Sequence, residues 1–406
     1  MKHSPLKPLD EALAELLAQA SLLDGGETVD SFEADGRVLL ADAVSALQVP
    51  PQDNSAMDGY ALRCADVPAP GAQLPVSQRI PAGSVGHALQ PETAARIFTG
   101  APVPPGADAV VMQEDCEAQE DGSVRVNAAP RAGQNIRRAG EDIALGATVL
   151  AAGTRLTPAA LGLAASIGLA QLPVARRPRV ALFSTGDELV MPGQVPPTQM
   201  KPGSIYNSNR FVLRAMLQRL GCEVTDLGIV PDRLEATVDA LRQAAAGHDL
   251  ILTSGGVSVG EEDHVKPAVQ SLGSLDLWLI AMKPGKPFAY GRVGGAHFIG
   301  LPGNPVSSLI TFSVLVRPFL LRLQGAHDVA PKTIAATAAF TWPRADKRRE
   351  FLRVRLNAEG QLERYANQGS GVLTSTVWGD GLVEAAPGQT IAHGDSVRFI
   401  PFAELL

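Results

Sequence analysis

The segment TSGGVSVG at residues 253–260 follows directly on an apolar run at residues 249–252. Glycines let a chain turn with its amide hydrogens pointing inward, and the hydroxyls of Ser254 and Ser258 add donors, which suits the gripping of a phosphate group. The same texture also serves as a plain structural turn. Glu261, Glu262 and Asp263 come next. Carboxylates beside a phosphate repel it unless a divalent cation lies between them, and magnesium meets that need. The alternative is that these acids complement the N-terminus of the following helix.

Three further turns carry comparable groups. TGDEL (residues 185–189) supplies Asp187 and Glu188, a second acidic pair suited to metal-assisted phosphoryl chemistry or, more simply, an acidic turn. KPGKP (residues 283–287) holds Lys283 and Lys286 on a backbone stiffened by prolines, so that two ammonium groups serve one inorganic dianion or else a solvated turn. LPGNPVS (residues 301–307) offers Ser307 and backbone amides at the opening of a helix. Each of the four turns ends a strand-like run, so all four are expected at one sheet edge. The physics of these residues implies a site for a phosphorylated ligand, a divalent metal and a second anion.

The elements that must position these turns read as alternating strands and helices from residue 179: VALFS, a helix at residues 209–220 closed by Gly221, VTDLGIV, a helix at residues 234–246, DLILTSGG, WLIAM, FIGLPG and a helix at residues 306–323. Such alternation predicts a largely parallel sheet covered on both faces, with ligands beyond the carboxyl ends of its strands. The chain opens with an amphipathic helix at residues 9–20, for which Asp10 is the expected cap, and residues 156–175 read as a buried helix of small side chains capped by Thr157 with Pro158 in its first turn. Residues 47–138 break into short apolar runs rich in proline and glycine, and residues after 330 are purely strand-like. The expected fold class is α/β plus β and multidomain. The boundaries are 1–46 with 141–176 for a discontinuous helical part, 47–140 for an inserted β-rich domain, 177–328 for the α/β domain and 329–406 for a C-terminal β-domain.

Outside the α/β segment, Asp58 sits in NSAMDGY, which reads by itself as a turn aspartate. NIRRAGED (residues 135–142) reads as a surface ion-pair cluster, and Arg344, Lys347, Arg348, Arg349 and Arg353 form either a solvated face or an anion path. With 406 residues, 45% of them apolar and 19% charged, and a formal charge of -7, the chain is expected to be globular with neither nucleic-acid nor membrane-surface binding. Its three cysteines, Cys64, Cys116 and Cys222, are too scattered for a disulfide framework or a zinc knuckle. The N-terminus lacks a signal-peptide core, and a cytoplasmic location is expected.

The motifs NSAMDGYA, TGAPVPPGAD, RRAGEDI, STGDEL, TSGGVSVGEEDHVK, KPGKPFAYG and GLPGNPVSS occur here in the order found in molybdopterin molybdenumtransferases. The chain resembles that family, called MoeA in bacteria and corresponding to the E domain of gephyrin, from about residue 50 to residue 308. The resemblance implies a central domain like molybdopterin adenylyltransferase, a C-terminal β-barrel, and an elongated homodimer whose cleft lies between the α/β domain of one subunit and the β-domain of the other. It implies insertion of molybdate into adenylylated molybdopterin with magnesium and release of AMP, with molybdopterin adenylyltransferase and apo-molybdoenzymes as protein partners.

By the same resemblance Ser254, Gly255, Gly256 and Ser258 surround the terminal pterin phosphate, and Asp263 is a catalytic or metal-organising carboxylate alongside Asp187 and Glu188. Lys283, Lys286 and Ser307 hold molybdate, and Pro302 and Pro305 complete the substrate-binding set. Asp58, Thr99, Asp142, Glu188 and Asp232 match positions associated with activity, while Arg349 and Ser370 are anion contacts from the last domain. Two departures stand out: Asn207-Ser208-Asn209 where the family has Asp-Ser-Asn, and Arg233 where a second acid often follows Asp232. Two rival readings are ATP-dependent adenylylation of molybdopterin, which the α/β segment alone would suit, and a non-enzymatic scaffold. The extra NSAMDGYA and TGAPVP segment speaks against the first, and the intact acidic and lysine motifs against the second.

Overall fold

The computed structural model describes residues 6–256 and 264–405. Helix α1 (Leu9–Ala18) buries Leu9, Ala12 and Leu16, spaced to share one helical face. The residue preceding it is Pro8, with no side-chain cap. Asp10, expected as the cap, lies instead in the first turn and turns outward to Arg349. Helix α2 (Pro158–Ser166) is capped as expected: the Thr157 hydroxyl accepts from the Ala160 amide, with proline at the first position. It is shorter than expected. Gly168 takes a left-handed conformation at φ 83°, and Gln171–Ala175 then runs as a strand antiparallel to Gly26–Asp30.

The central sheet has six strands, in the spatial order Glu223–Val230, Arg179–Thr185, Leu250–Ser254, Ala296–Leu301, Pro287–Val293 and Gly273–Leu279. The first four are mutually parallel, and the last two join as an antiparallel extension. Helices α3 (Ser208–Arg219), α4 (Leu234–Ala245), α5 (Val265–Leu272), α6 (Pro305–Thr311) and α7 (Arg317–Leu323) cover it. One face packs on α1, α3, α6 and α7 through Leu16, Leu213, Leu217, Ile310 and Phe319. The other packs on α4 and α5 through Leu241, Ala244, Val265 and Ala268. Burial on both sides explains why the sheet's strands read as unbroken apolar runs rather than alternating ones.

The expected single helix after residue 305 is α6 and α7 joined by a π-helical turn at Phe312–Val316. The span Pro305–Leu323 contains an 18-residue stretch apolar enough to cross a membrane, but 89% of that stretch is buried inside the protein as a core helix. The WLIAM run also departs from expectation. Its strand stops at Leu279, and Met282–Lys283 leaves the central sheet to pair in parallel with Arg349–Glu350 of the last sheet.

A second six-stranded sheet gathers Ala109–Met112, Gly59–Leu62, Ala94–Ile97, Ala72–Ile80, Ser123–Val126 and Cys116–Ala118 in that spatial order. The last sheet runs from Met282–Lys283 through Arg349–Leu356, Gly381–Ala385 and Ser396–Pro401 to Ile334–Thr337, with Leu362–Arg364 also paired to Arg349–Leu356. A bridge between Ala338 and Leu362 joins its two sides, so the sheet closes on itself around Leu352, Val383 and Phe399.

Candidate active site

Strand register brings three of the four singled-out turns together. Ser184 lies beside Ser254, and Ser254 beside Leu301, so the chain leaves three neighbouring parallel strands at the same level. A cavity of about 470 Å³ opens there. Its walls are Thr185 and Glu188 from the first turn, Ser254-Gly255-Gly256 from the second, and Pro302, Gly303, Asn304, Pro305 and Ser307 from the third. Pro287, from the lysine-bearing turn, and Asn207, Ser208 and Asn209, at the start of α3, complete it.

Local geometry explains the glycines. Gly255 and Gly256 have φ of 88° and 66°, a conformation that L side chains rarely adopt, and a Cβ at Gly256 would sit 2.4 Å from Val265 Cγ2. The Gly255 amide donates to the Leu301 carbonyl at 3.0 Å, which ties the second turn to the third. Asn207 caps α3, its Oδ1 accepting from the Arg210 amide. Asn209 donates through Nδ2 to the Gly303 carbonyl at 2.7 Å and to Ser254 Oγ at 3.4 Å.

Among the described residues, several buried polar atoms here have no partner: Asn207 Nδ2, Asn209 Oδ1, Thr253 Oγ1 and Ser308 Oγ. Burying such atoms unpaired is costly, and a polar ligand in the cavity relieves that cost for those within its reach. Asn207 and Asn209 are site residues that motif reading registered only as a departure from a pattern. The signal available was the capping position of Asn207 before an amphipathic helix.

Among the described residues lining the cavity, Glu188 is the one charged group. Lys283 is not there. Its ammonium lies 2.8 Å from Glu350 and 3.7 Å from Asp346, because Met282–Lys283 belongs to the last sheet. Lys286 is exposed and adjoins Pro287, which does line the cavity. Asp187 is exposed beside Glu188 but is not part of the wall. Ser258 and Asp263, with Glu261 and Glu262, lie outside the described residues.

Arg349 is engaged elsewhere, forming a bidentate pair with Asp10 at 2.6 and 2.7 Å and a further contact with Glu384 at 3.2 Å. Arg353, read as part of a basic run, is only 1% exposed and donates to the carbonyls of Phe351 and Gly369 and to Ser375 Oγ. Burial drives its pKa down to about 10. Through Gly369, Arg353 holds the loop in which the Ser370 carbonyl accepts from the Val306 amide, next to Ser307. A loop of the last domain thus contacts the start of α6 beside the cavity through Ser370, which does not itself line the wall, with Arg353 rather than Arg349 behind it.

The remaining expected residues lie away from the wall. Asp58 Oδ1 accepts from both the amide and the hydroxyl of Thr99 at 2.7 Å, and these bonds lower its pKa. Asp142 is exposed, its amide bonded to the Val49 carbonyl. Asp232 is half-buried in the loop between the Glu223–Val230 strand and α4. None of these lines the cavity.

The arrangement can hold an oxyanion through neutral donors at strand ends. Known proteins share the layout of the whole chain. Residues 7–168 match the MoeA N-terminal region (domain I and II), residues 181–322 a probable molybdopterin binding domain, and residues 335–402 the MoeA C-terminal region (domain IV). The chain is 40% identical over 406 residues to a molybdopterin molybdenumtransferase of Haemophilus influenzae, covering 98% of this chain and 99% of that one. It is 43% identical over 344 residues to molybdopterin molybdenumtransferase 2 of Mycobacterium tuberculosis, covering 81% and 83%. A molybdopterin biosynthesis MoeA structure from Pyrococcus horikoshii matches with a TM-score of 0.83 at 28% identity over 98% of this chain and all of that one. Another molybdopterin biosynthesis MoeA structure from the same archaeal species matches with a TM-score of 0.75 at 32% identity, over 98% and 99%. With the same three regions in the same order and identity of this extent along nearly its whole length, the chain belongs to the MoeA family of molybdopterin molybdenumtransferases.

Proposed function

We propose that the protein inserts molybdate into adenylylated molybdopterin, releasing AMP and leaving the finished molybdenum cofactor. The observation that carries this reading is the cavity at the ends of three parallel strands, where Ser254, Gly256, Ser307 and the Asn207 side-chain amide supply donors and no cysteine is among the described lining residues. The dithiolene sulfurs that capture molybdenum come from the substrate, so the protein needs no thiolate ligands. Its own work is to grip the pterin phosphate, bring a tetrahedral dianion beside it and keep bulk water out.

In this reading the Ser254-Gly255-Gly256 turn holds the phosphate and Ser307 orients molybdate, with Lys286 as the neighbouring cation. Asp187 and Glu188 are hard oxygen donors on one exposed turn, which fits magnesium held by one or two carboxylates together with substrate phosphates. When bound, such an ion polarises phosphoryl oxygens and offsets the repulsion between Glu188 and its anionic ligands. Asp58, Thr99 and Asp142 reach the cavity from the second protomer of a homodimer.

The test combines purified protein, adenylylated molybdopterin and molybdate, and follows AMP release together with activation of an apo-molybdoenzyme. Release that depends on molybdate and falls away with EDTA is the expected result. Formation of adenylylated pterin from ATP instead would overturn the assignment.

A further inference from the structure

A second cavity, of about 520 Å³, opens where four separate stretches of chain meet: residues 151–157 ahead of α2, the end of α3, Arg317 with residues 327–332, and residues 403–404. It shares no lining residue with the first. Its charged lining comprises Arg155, Arg219, Arg317 and Lys332 against Asp328 and Glu404, an excess of two positive charges with His327 neutral.

Arg155 and Arg317 are held by carbonyls, with Asp328 and Glu404 attracting Arg317 from across the cavity and Arg155 repelling it. Arg317 is only 8% exposed and donates to the Val329 carbonyl at 3.0 Å. Arg155 donates to the carbonyls of Gly36 and Arg219 at 3.3 and 3.2 Å. Among the described residues, neither has a carboxylate within ion-pairing distance, although eleven other arginines do. A buried guanidinium without a counter-charge is costly, and one that shares a cavity with a second guanidinium more so. An anion between them reverses the sign of that interaction, since guanidinium forks match tetrahedral and planar oxyanions alike.

The walls are fixed rather than loose. The His327 amide donates to the Gly153 carbonyl at 3.2 Å, and the His327 ring packs so closely on Gly153 that a Cβ there would lie 2.6 Å from it. The lining also includes the apolar Ala151, Ala152, Leu220, Ala330 and Ala403. The space exceeds what a bare tetrahedral anion fills, and its lining combines a net positive charge with apolar carbon.

We propose that this cavity is a second ligand site, which takes a phosphomonoester of sugar-phosphate size, its dianionic phosphoryl group lying between Arg155 and Arg317. Titration calorimetry on the full chain tests this with ribose 5-phosphate and inorganic phosphate as separate titrants. The expected result is that the ester binds more tightly than inorganic phosphate. Arg155→Gln and the exposed Arg219→Gln should each weaken it roughly tenfold or more, while Ser254→Ala in the first cavity leaves it unchanged. Circular-dichroism melts confirm that the two arginine variants fold. No binding at millimolar ester, equal binding of ester and inorganic phosphate, or loss of binding in Ser254→Ala instead of Arg155→Gln would each overturn the proposal.

Discussion

Lys283→Met separates a structural role for this lysine from a ligand-binding one. The Lys283 ammonium sits 2.8 Å from Glu350 Oε1, and Glu350 is 3% exposed, its other oxygen accepting from Trp342 Nε1 at 2.7 Å. Methionine keeps the stem and removes the charge, leaving a buried carboxylate with one hydrogen bond. Removing one partner of a fully buried pair costs about 3–5 kcal/mol. The Lys283 side chain is 42% exposed, so water already screens its end of the pair, and a loss of about 1.5–3 kcal/mol is expected. Urea unfolding followed by tryptophan fluorescence reads the change, since Trp342 touches the pair. Adding Glu350→Gln should recover at least half of the loss, because the amide oxygen still accepts from Trp342 without a buried charge. An unchanged midpoint in Lys283→Met, or no recovery in the double variant, would refute the reasoning and return Lys283 to the ligand.

Gly256→Ala forces a Cβ onto a left-handed backbone 2.4 Å from Val265 Cγ2 and 2.8 Å from Thr185 Oγ1, and a loss of roughly 2–4 kcal/mol is expected in thermal melts. Gly83→Ala, at a similar φ but with open space around it, should lose no more than about 2 kcal/mol and keep full activity. Asp58→Asn keeps the shape of the Thr99 contact without its charge; the melting midpoint should hold while AMP release falls at least about tenfold, and full turnover would remove Asp58 from the reaction. His297 is buried beside Arg292, and burial first, then that charge, pushes its pKa down to about 4. The unfolded chain therefore binds more protons between about pH 4 and 6.5, so stability falls as pH drops through that window by an amount on the order of 2–4 kcal/mol. His297→Phe should flatten that slope in urea titrations at pH 4.5 and pH 7, and an unaltered slope would assign it to other groups.

Periodicity and turn chemistry made much of the architecture legible. The central sheet, the Thr157 cap and the strand-only tail all follow from local rules, and so does the convergence of residues 185–189, 253–256 and 301–307, since parallel strands deliver their following turns to one edge. What escaped reading depends on partners distant in the chain. Asp10 looked like a cap because its partner Arg349 lies 339 residues away. The pairing of Lys283 with Glu350 was hidden because nothing near it reveals that the chain changes sheets there. Arg353 and Arg349 are indistinguishable as members of a basic run. They share a face of one strand, four residues apart, and their fates differ because Arg349 at the strand's start meets Asp10 and Glu384 while the loop at residues 367–371 folds over Arg353.

The passage of Met282–Lys283 into the last sheet bears on how the chain can be cut. Its register with Arg349–Glu350 means that the segment after residue 329 supplies backbone partners to a strand encoded well before it. A truncation at that junction would strip a lateral hydrogen-bonding row from residues on the retained side and uncover a cohesive edge. Such a fragment should self-associate, so expressing the pieces as independent units calls for moving the breakpoint or capping that ribbon with a surrogate strand.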